Sequence, residues 1–426
     1  MTYLILGILL LLALLGAPLF TVIIAGAMVG FFSADIDLSV VAIELYRIAD
    51  TPILLALPLF TFTGYLLSES NTSQRLVALT RTFLGWMPGG LAIVAFVVCA
   101  LFTAFTGASG VTIVAMGALL YPALKQSGYP GDFSLGLVTT SGSLGLLLPP
   151  SLPLILYGII AQQMGAGADI SIEDLFIAGI FPALLMIFML SLWSIRANRR
   201  HPIPLTPFSW IHARRALRDA AWEIPLPIFV FFGIYSGYFA VSEAAAVSAM
   251  YVLVVEMLIY REIKPSRLTG IIKESMIMVG GILLILGVSL ALTNYLIDAE
   301  IPMRLFAVCQ QFITNKWIFL ILLNVFLLIL GMMLDIFSAI IIMVPLMLPV
   351  AVEYGVDPVH LGIIFLANMQ IGYFTPPVGM NLFIAGYRFN KPIMDIYRAT
   401  IPFMLVLLFA VLIITYWPAL SLFLIR

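Results

Sequence analysis

Two stretches of this chain combine glycine, hydroxyl residues and a double proline inside runs apolar enough to cross a bilayer. They are residues 141–151, SGSLGLLLPPS, and residues 368–381, NMQIGYFTPPVGMN. Pro150 and Pro377 lack an N–H and disfavour helix at the residues before them, Pro149 and Pro376; Gly145 and Gly372 admit unusual backbone angles. A helix entering either stretch is expected to break. Broken backbone at membrane depth is tolerated only against protein or a water-filled cavity, so its carbonyls are available to a solute. Together with the hydroxyls of Ser141, Ser143 and Thr375 they suit a hard monovalent cation. Sodium fits such oxygens better than zinc or iron, which favour His or Cys. The freed N–H groups at half-helix starts offer the complementary chemistry, a positive dipole end facing an anionic group. Ser143, Asn368, Gln370 and Asn381 add neutral hydrogen bonds for a substrate.

The pairs 90–106 with 110–124 and 317–334 with 336–352 have almost no polar linker, so each is either two full helices or a hairpin that enters and leaves on one side, with a tip that could face these breaks. Residues 106–110, TGASG, supply Thr106, Ser109 and Gly110; residues 331–338, GMMLDIFS, supply Asp335. An intramembrane acid is costly and is read as functional by default, pairing a cation or relaying a proton. Asp335 also stands where it would cap a helix starting at Ile336, and at a tip the two roles are compatible. Glu243 reads as a first-turn helix acid, and Glu256 as a side chain snorkelling toward the nearby basic end. Enzyme chemistry is not expected. His201, His212 and His360 form no HExxH, no phosphate-loop pattern occurs, and Ser109 has no base near it in sequence. Cys99 and Cys309 read as small buried hydrophobes.

The elements that must position these residues are transmembrane helices. With 63% hydrophobic and 10% charged residues among 426, the chain is an all-α polytopic membrane protein of about eleven to thirteen spans. A net charge of -1 without a coherent basic face gives no support to nucleic-acid binding. The N-terminal run lacks a basic n-region and is too long for a signal peptide, so residues 4–32 are expected to form a first membrane helix kinked at Pro18. Half the Lys and Arg residues fall in the loops 196–223 and 261–273, which the positive-inside rule makes cytoplasmic. The segments 224–240 and 243–260 then run out and back with Ser242 and Glu243 at the far side. Asp169, Glu173 and Asp174 also lie outside.

An internal repeat ties the two breaks together. A displacement of 227 positions lays Pro122 on Pro349, Gly128 on Gly355, Gly145 on Gly372, and Pro149–Pro150 on Pro376–Pro377. Interrupted hydrophobic segments at matching places in two halves point to a secondary transporter's binding site. The expected division is an N-terminal helix and connector (1–50), a first repeat (51–195) with a hairpin near 90–124, a basic segment with a helix pair (196–273), and a second repeat (274–426) with a hairpin near 317–352.

Residues 106–130, TGASGVTIVAMGALLYPALKQSGYP, the two PPS and PPVG stretches, GMMLDIFSAIIIMVPLMLPVAVEYGVDP and the final TYWPALSLFL resemble the large membrane subunit of TRAP transporters, the DctM-like family. VSEAAAVSA is similar to a family element usually written with TPTEAAA. The resemblance implies an inverted-repeat, elevator-type fold with two re-entrant hairpins in a bacterial inner membrane. It implies sodium-driven import of an organic acid, such as a C4-dicarboxylate or sialic acid, delivered by a periplasmic binding protein. A small membrane subunit of about four helices would be a separate chain, and membrane lipid surrounds both. The alternative is an ion/proton antiporter of the same fold, with Asp335 as the carrier and no binding protein.

Overall fold

The computed structural model describes residues 7–9, 11–12, 15, 17–47, 51–164, 170–199, 208–313 and 315–425. Among them, eight helices are long and apolar enough to cross a membrane, and shorter apolar helices fill the space between. Asp169, Arg200, His201 and the start of the first expected span lie outside the described residues. Pro18 does not kink a helix. It stands in extended backbone immediately before α1 (Leu19–Ser33), where its fixed φ and missing N–H suit a helix start. α2 (Ser39–Arg47) follows, and α1 and α2 both pack on the long α13 (Pro265–Asp298).

The first repeat runs through α3 (Ala56–Glu69), α4 (Thr72–Leu84), the hairpin α5 (Gly90–Thr106) and α6 (Ser109–Gln126), α7 (Gly131–Ser141), α8 (Leu152–Gln163) and α9 (Ile172–Ala197). Gly107 makes the two-residue hairpin turn possible, closing α5 at a φ of 62° that L side chains rarely adopt. The second repeat runs through α13, α14 (Ile301–Phe312), the hairpin α15 (Lys316–Met333) and α16 (Ile336–Glu353), α17 (Pro358–Gly372), α18 (Met380–Phe389), α19 (Ile393–Tyr416) and α20 (Ala419–Leu422).

The displacement found in the sequence is also the displacement of the helix ends. α5 and α15 stop, α6 and α16 start and stop, and α7 and α17 start 227 residues apart, the separation of the contacting pair Ser143 and Gln370. Helix contacts obey the same exchange: α6 lies on α18 as α16 lies on α8, and α7 lies on α19 as α17 lies on α9. The hairpins differ in one respect. α5 and α6 pack along each other, whereas α15 turns away from α16 to lie along α17.

The hairpins enter from opposite ends. The base of the first, Gly89, meets Ile195 at the end of α9, and Phe133 at the start of α7 stacks on Trp193, 5.7 Å between centroids. The base of the second meets the other end of the bundle: Tyr416 donates to the Trp317 carbonyl (3.1 Å), and Phe181, early in α9, faces Phe423. The repeats are therefore inverted. The out-and-back pair is present as α11 (Pro225–Tyr235) and α12 (Val241–Val254), the latter continued by a π-turn over Val255–Ile259. Tyr235 lies in the field of Glu173 and Asp174, so the far end of α11 shares the side on which α9 begins. Glu243 accepts a bond from the Ala240 N–H (3.0 Å), as a first-turn acid should.

Three expectations are corrected by packing. The basic stretches read as loops are largely helical: α10 (Trp210–Asp219) buries Ala213 and Ala216 against α4 and leaves Arg214, Arg215 and Arg218 exposed, while Arg267 and Lys273 ride on α13. Glu256 does not snorkel. It is fully buried in the π-turn, accepting from Thr72 Oγ1 (3.0 Å) and Arg75 Nη2 (3.3 Å). Arg75 on α4 also pairs with Glu223 and Glu262 and lies 3.9 Å above the Tyr260 ring, so one guanidinium ties together three segments. Cys99 is buried as expected; Cys309 is only half-buried.

Candidate functional site

Each broken stretch is seated on its own hairpin by a glycine. A Cβ on Gly145 would stand 2.0 Å from the Ala100 carbonyl oxygen and 2.5 Å from the Ala104 nitrogen; on Gly372 it would stand 2.6 Å from the Gly331 carbonyl carbon. Ala104 and Gly331 are repeat equivalents, so the same close backbone approach is used twice. Each double proline contains a cis bond, Pro149–Pro150 and Pro376–Pro377. Past it a new helix begins, α8 at Leu152 and α18 at Met380, and in α18 the Asn381 N–H is spent on the Tyr373 carbonyl (2.8 Å).

The two breaks meet at the centre. Ser143 Oγ donates to the Gln370 carbonyl at 3.0 Å and to the Thr140 carbonyl at 3.3 Å. Residues 143 and 370 are equivalents, and a contact between equivalents marks the pseudo-two-fold axis. Around it the first tip reaches across to the second repeat: Ser109 Oγ donates to Asn381 Oδ1 (2.8 Å), and Gly110 faces Ile384. Thr106 is buried beside Gly64 of α3, its hydroxyl without a partner among the described residues. Ser141 is buried and turned back on the Val138 carbonyl (3.3 Å).

At the second tip Asp335 is an N-cap. One carboxylate oxygen accepts from the N–H groups of Phe337 and Ser338 (3.0 Å each) and the other from the Ser338 hydroxyl. Its side chain is exposed rather than enclosed. Tyr373, from the second break, accepts from the Ile336 N–H at 2.6 Å and fixes tip to break. Thr375 Oγ1 donates to the Ile371 carbonyl (2.8 Å), and Thr375 and Pro376 are half-buried. Residues 141–147 and Pro149 are buried, so the second break is the more open of the two.

The four substrate-candidate residues do not form one cluster. Asn381 joins the first tip, and Ser143 the axis. Asn368 donates to Asn324 Oδ1 (2.6 Å) between α15 and α17, where Thr415 Oγ1 donates to the same oxygen (3.2 Å). The Gln370 amide turns toward the Met186 sulfur. Buried polar atoms nevertheless remain unspent: Asn368 Oδ1, Gln370 Oε1 and Asn381 Nδ2 have no partner among the described residues. Such atoms carry a desolvation cost unless something meets them. Several contributors escaped the sequence reading. Thr103 and Thr112 join the tip to the first break through a 2.7 Å hydroxyl pair and a 2.9 Å bond to the Gly142 carbonyl. In the second half Tyr373 joins tip to break, and Asn324 joins α15 to α17 and α19. Asn324 carried a readable signal, a lone carboxamide in an apolar run; a threonine or tyrosine there is too common to stand out.

Comparison with known proteins fits this geometry. The model of the tripartite ATP-independent periplasmic transporter, DctM component, matches residues 6–420. The chain belongs to the DctM family of TRAP large permeases. The C4-dicarboxylate TRAP transporter large permease protein DctM of Pseudomonas aeruginosa is 34% identical over 92% of this chain and 90% of that protein. The ectoine/5-hydroxyectoine TRAP transporter large permease protein UehC of Ruegeria pomeroyi is 30% identical over 97% of this chain and 96% of that protein. The isethionate TRAP transporter permease protein DctMQ of Oleidesulfovibrio alaskensis is 32% identical over 96% of this chain and 62% of that protein. Among solved structures, the YdaH transporter of Alcanivorax borkumensis superposes with a TM-score of 0.64 at 13% identity, covering 89% of this chain and 87% of that one, a likeness of fold. This DctM-family chain is thus a multi-pass membrane transport subunit.

Proposed function

We propose that this DctM-family permease imports an organic acid across a bacterial inner membrane, driven by a sodium gradient. The acid would be handed over by a periplasmic binding protein, and a small membrane subunit would complete the assembly. The observation that carries the reading is the meeting of both broken stretches at Ser143 and Gln370, where the buried Gln370 Oε1 has no partner among the described residues. In this reading sodium is held by break carbonyls with Ser141, Ser143, Gly145, Pro149, Gly372, Thr375 and Pro376, and by the tips at Thr106, Ser109, Gly110 and Asp335. Ser143 and Gln370, where the breaks meet, hydrogen-bond the acid, whereas Asn368 and Asn381 stand apart in their pairs with Asn324 and Ser109. Filling both would let hairpins and breaks move as one body against α3, α12 and α13, an elevator step. The permeases named for C4-dicarboxylate and ectoine resemble this chain about equally, which suits a division of labour in which the binding protein selects the acid.

The test is uptake into proteoliposomes holding this chain and its small subunit, with loaded binding protein outside. Accumulation is expected only under an inward sodium gradient. Accumulation without one overturns the sodium coupling, and uptake of free acid without binding protein overturns the tripartite assembly.

A further inference from the structure

Away from the breaks, a narrow cleft lies between α2 and α13 on one side and α8 and α16 on the other. The ends that form it share the side on which α9 begins: α8 ends there, and α13 reaches it after crossing from its basic start. Its lining is unusually rich in oxygen for a seam between apolar helices. The Ser289 hydroxyl is buried without a partner among the described residues, the residue being 4% exposed. Gln163 Oε1 is buried without a partner among the described residues, while its neighbour Gln162 donates its amide N–H to the Ile170 carbonyl (2.8 Å). Pro345, inside α16, has no N–H to give the carbonyl of Ile341 one turn earlier, and both residues line the cleft.

The charge arrangement is asymmetric. Glu44 contributes a carboxylate whose side chain is 10% exposed, and its counter-charge is Arg47, 3.5 Å away and 60% exposed. Arg47 can swing into water at little cost. Glu44 cannot, and a carboxylate buried without a cation is strongly disfavoured. One carboxylate, a hydroxyl, an amide oxygen and a freed carbonyl are the ligands a hard alkali cation takes, and they offer a transition metal neither His nor Cys.

From these observations we propose a second kind of cation site in this chain: Glu44, Gln163, Ser289 and the Ile341 carbonyl bind sodium, with Arg47 as a tethered cation that the ion displaces. Bound sodium would fasten α2 and α13 to α8 and α16, bracing the seam. The site stands whether or not sodium drives transport at the breaks.

The full chain in lipid nanodiscs is unfolded by heat while sodium chloride replaces N-methylglucamine chloride at constant ionic strength. Sodium should raise the midpoint of wild type. Glu44→Gln should need about tenfold more sodium for the same rise. Arg47→Gln, which removes the internal competitor, should need less. Because ions at the breaks would respond too, the pair of variants is repeated in a Thr375→Ala background, where the opposed shifts should persist. Should Glu44→Gln fail to fold, Arg47→Gln alone decides the sign. Weaker sodium response in Arg47→Gln, or no change, overturns the proposal, as does loss in that variant of stabilisation by succinate with the sodium response intact, which marks an anion site.

Discussion

At the scale of single residues, the glycines seating the breaks and the side chains joining tips to breaks carry the sharpest consequences. Gly145→Ala places a methyl where the Ala100 carbonyl oxygen already stands, and backbone cannot yield as a flexible side chain would. We expect a loss of about 1–3 kcal/mol or more and no uptake, against Gly131→Ala, whose Cβ meets nothing within 4 Å and which should fold and transport. Ser109→Ala strands both ends of the Asn381 amide, since its Nδ2 is already unpartnered; the cost should be about 1–3 kcal/mol and uptake should fall. Asp335 separates into two roles. Asparagine caps as well as aspartate, so Asp335→Asn should melt like wild type, whereas Asp335→Ala should lose about 1 kcal/mol. If the charge serves coupling, the asparagine variant also shows weakened sodium dependence of uptake; wild-type dependence would leave Asp335 a cap alone.

At the scale of elements, the Arg75 cluster binds α4 to the π-turn after α12 and to the segment before α13. Arg75→Gln would leave Glu223 and Glu256 buried without their cation and should cost about 3–5 kcal/mol, read as a fall in thermal midpoint. The cluster also sets an acid sensitivity. Burial alone would raise the Glu262 carboxyl, but the Asn71 N–H and Arg75 hold it below the usual glutamate range. Its contribution is thus complete above an unfolded value of about 4.3 and is lost as pH falls through the lower folded value. Midpoints measured from pH 7 down to pH 3 should fall less steeply in Glu262→Gln than in wild type.

At the scale of the whole molecule, inversion makes a prediction about sidedness. The basic end carrying Arg215 and the far end carrying Ser242 must face opposite compartments if α12 crosses. With Cys309 replaced by serine, a membrane-impermeant maleimide added outside cells should label a cysteine at 242 and spare one at 215. The reverse pattern would turn the orientation over. The two hairpins entering from opposite ends also explain why one sequence motif, used twice, makes a single site: a two-fold operation brings 143 onto 370 instead of leaving the breaks at separate depths.

Much of this was legible in the chain because the signals are local. Proline removes an N–H, glycine lacks a Cβ, and a lone acid in an apolar run must be accommodated, whatever surrounds them; hence the breaks, the tips and the repeat at 227 could be read from residues such as Pro150, Gly372 and Asp335. Other features depend on partners distant in sequence. Glu256 looked like a snorkelling side chain until Arg75, some 180 positions earlier, came to lie against it. Pro18 looked like a kink until the chain before it left the helix. The four proposed substrate residues lie in one stretch or its repeat, yet packing sends Asn368 to Asn324, Gln370 to Met186 and Asn381 to Ser109. Where helices must break is set by backbone chemistry written in the sequence, whereas the expected total of about eleven to thirteen spans compares with eight helices long and apolar enough to cross among the described residues. Which polar atoms meet across the interior is decided only by packing, because that depends on distances between residues hundreds of positions apart.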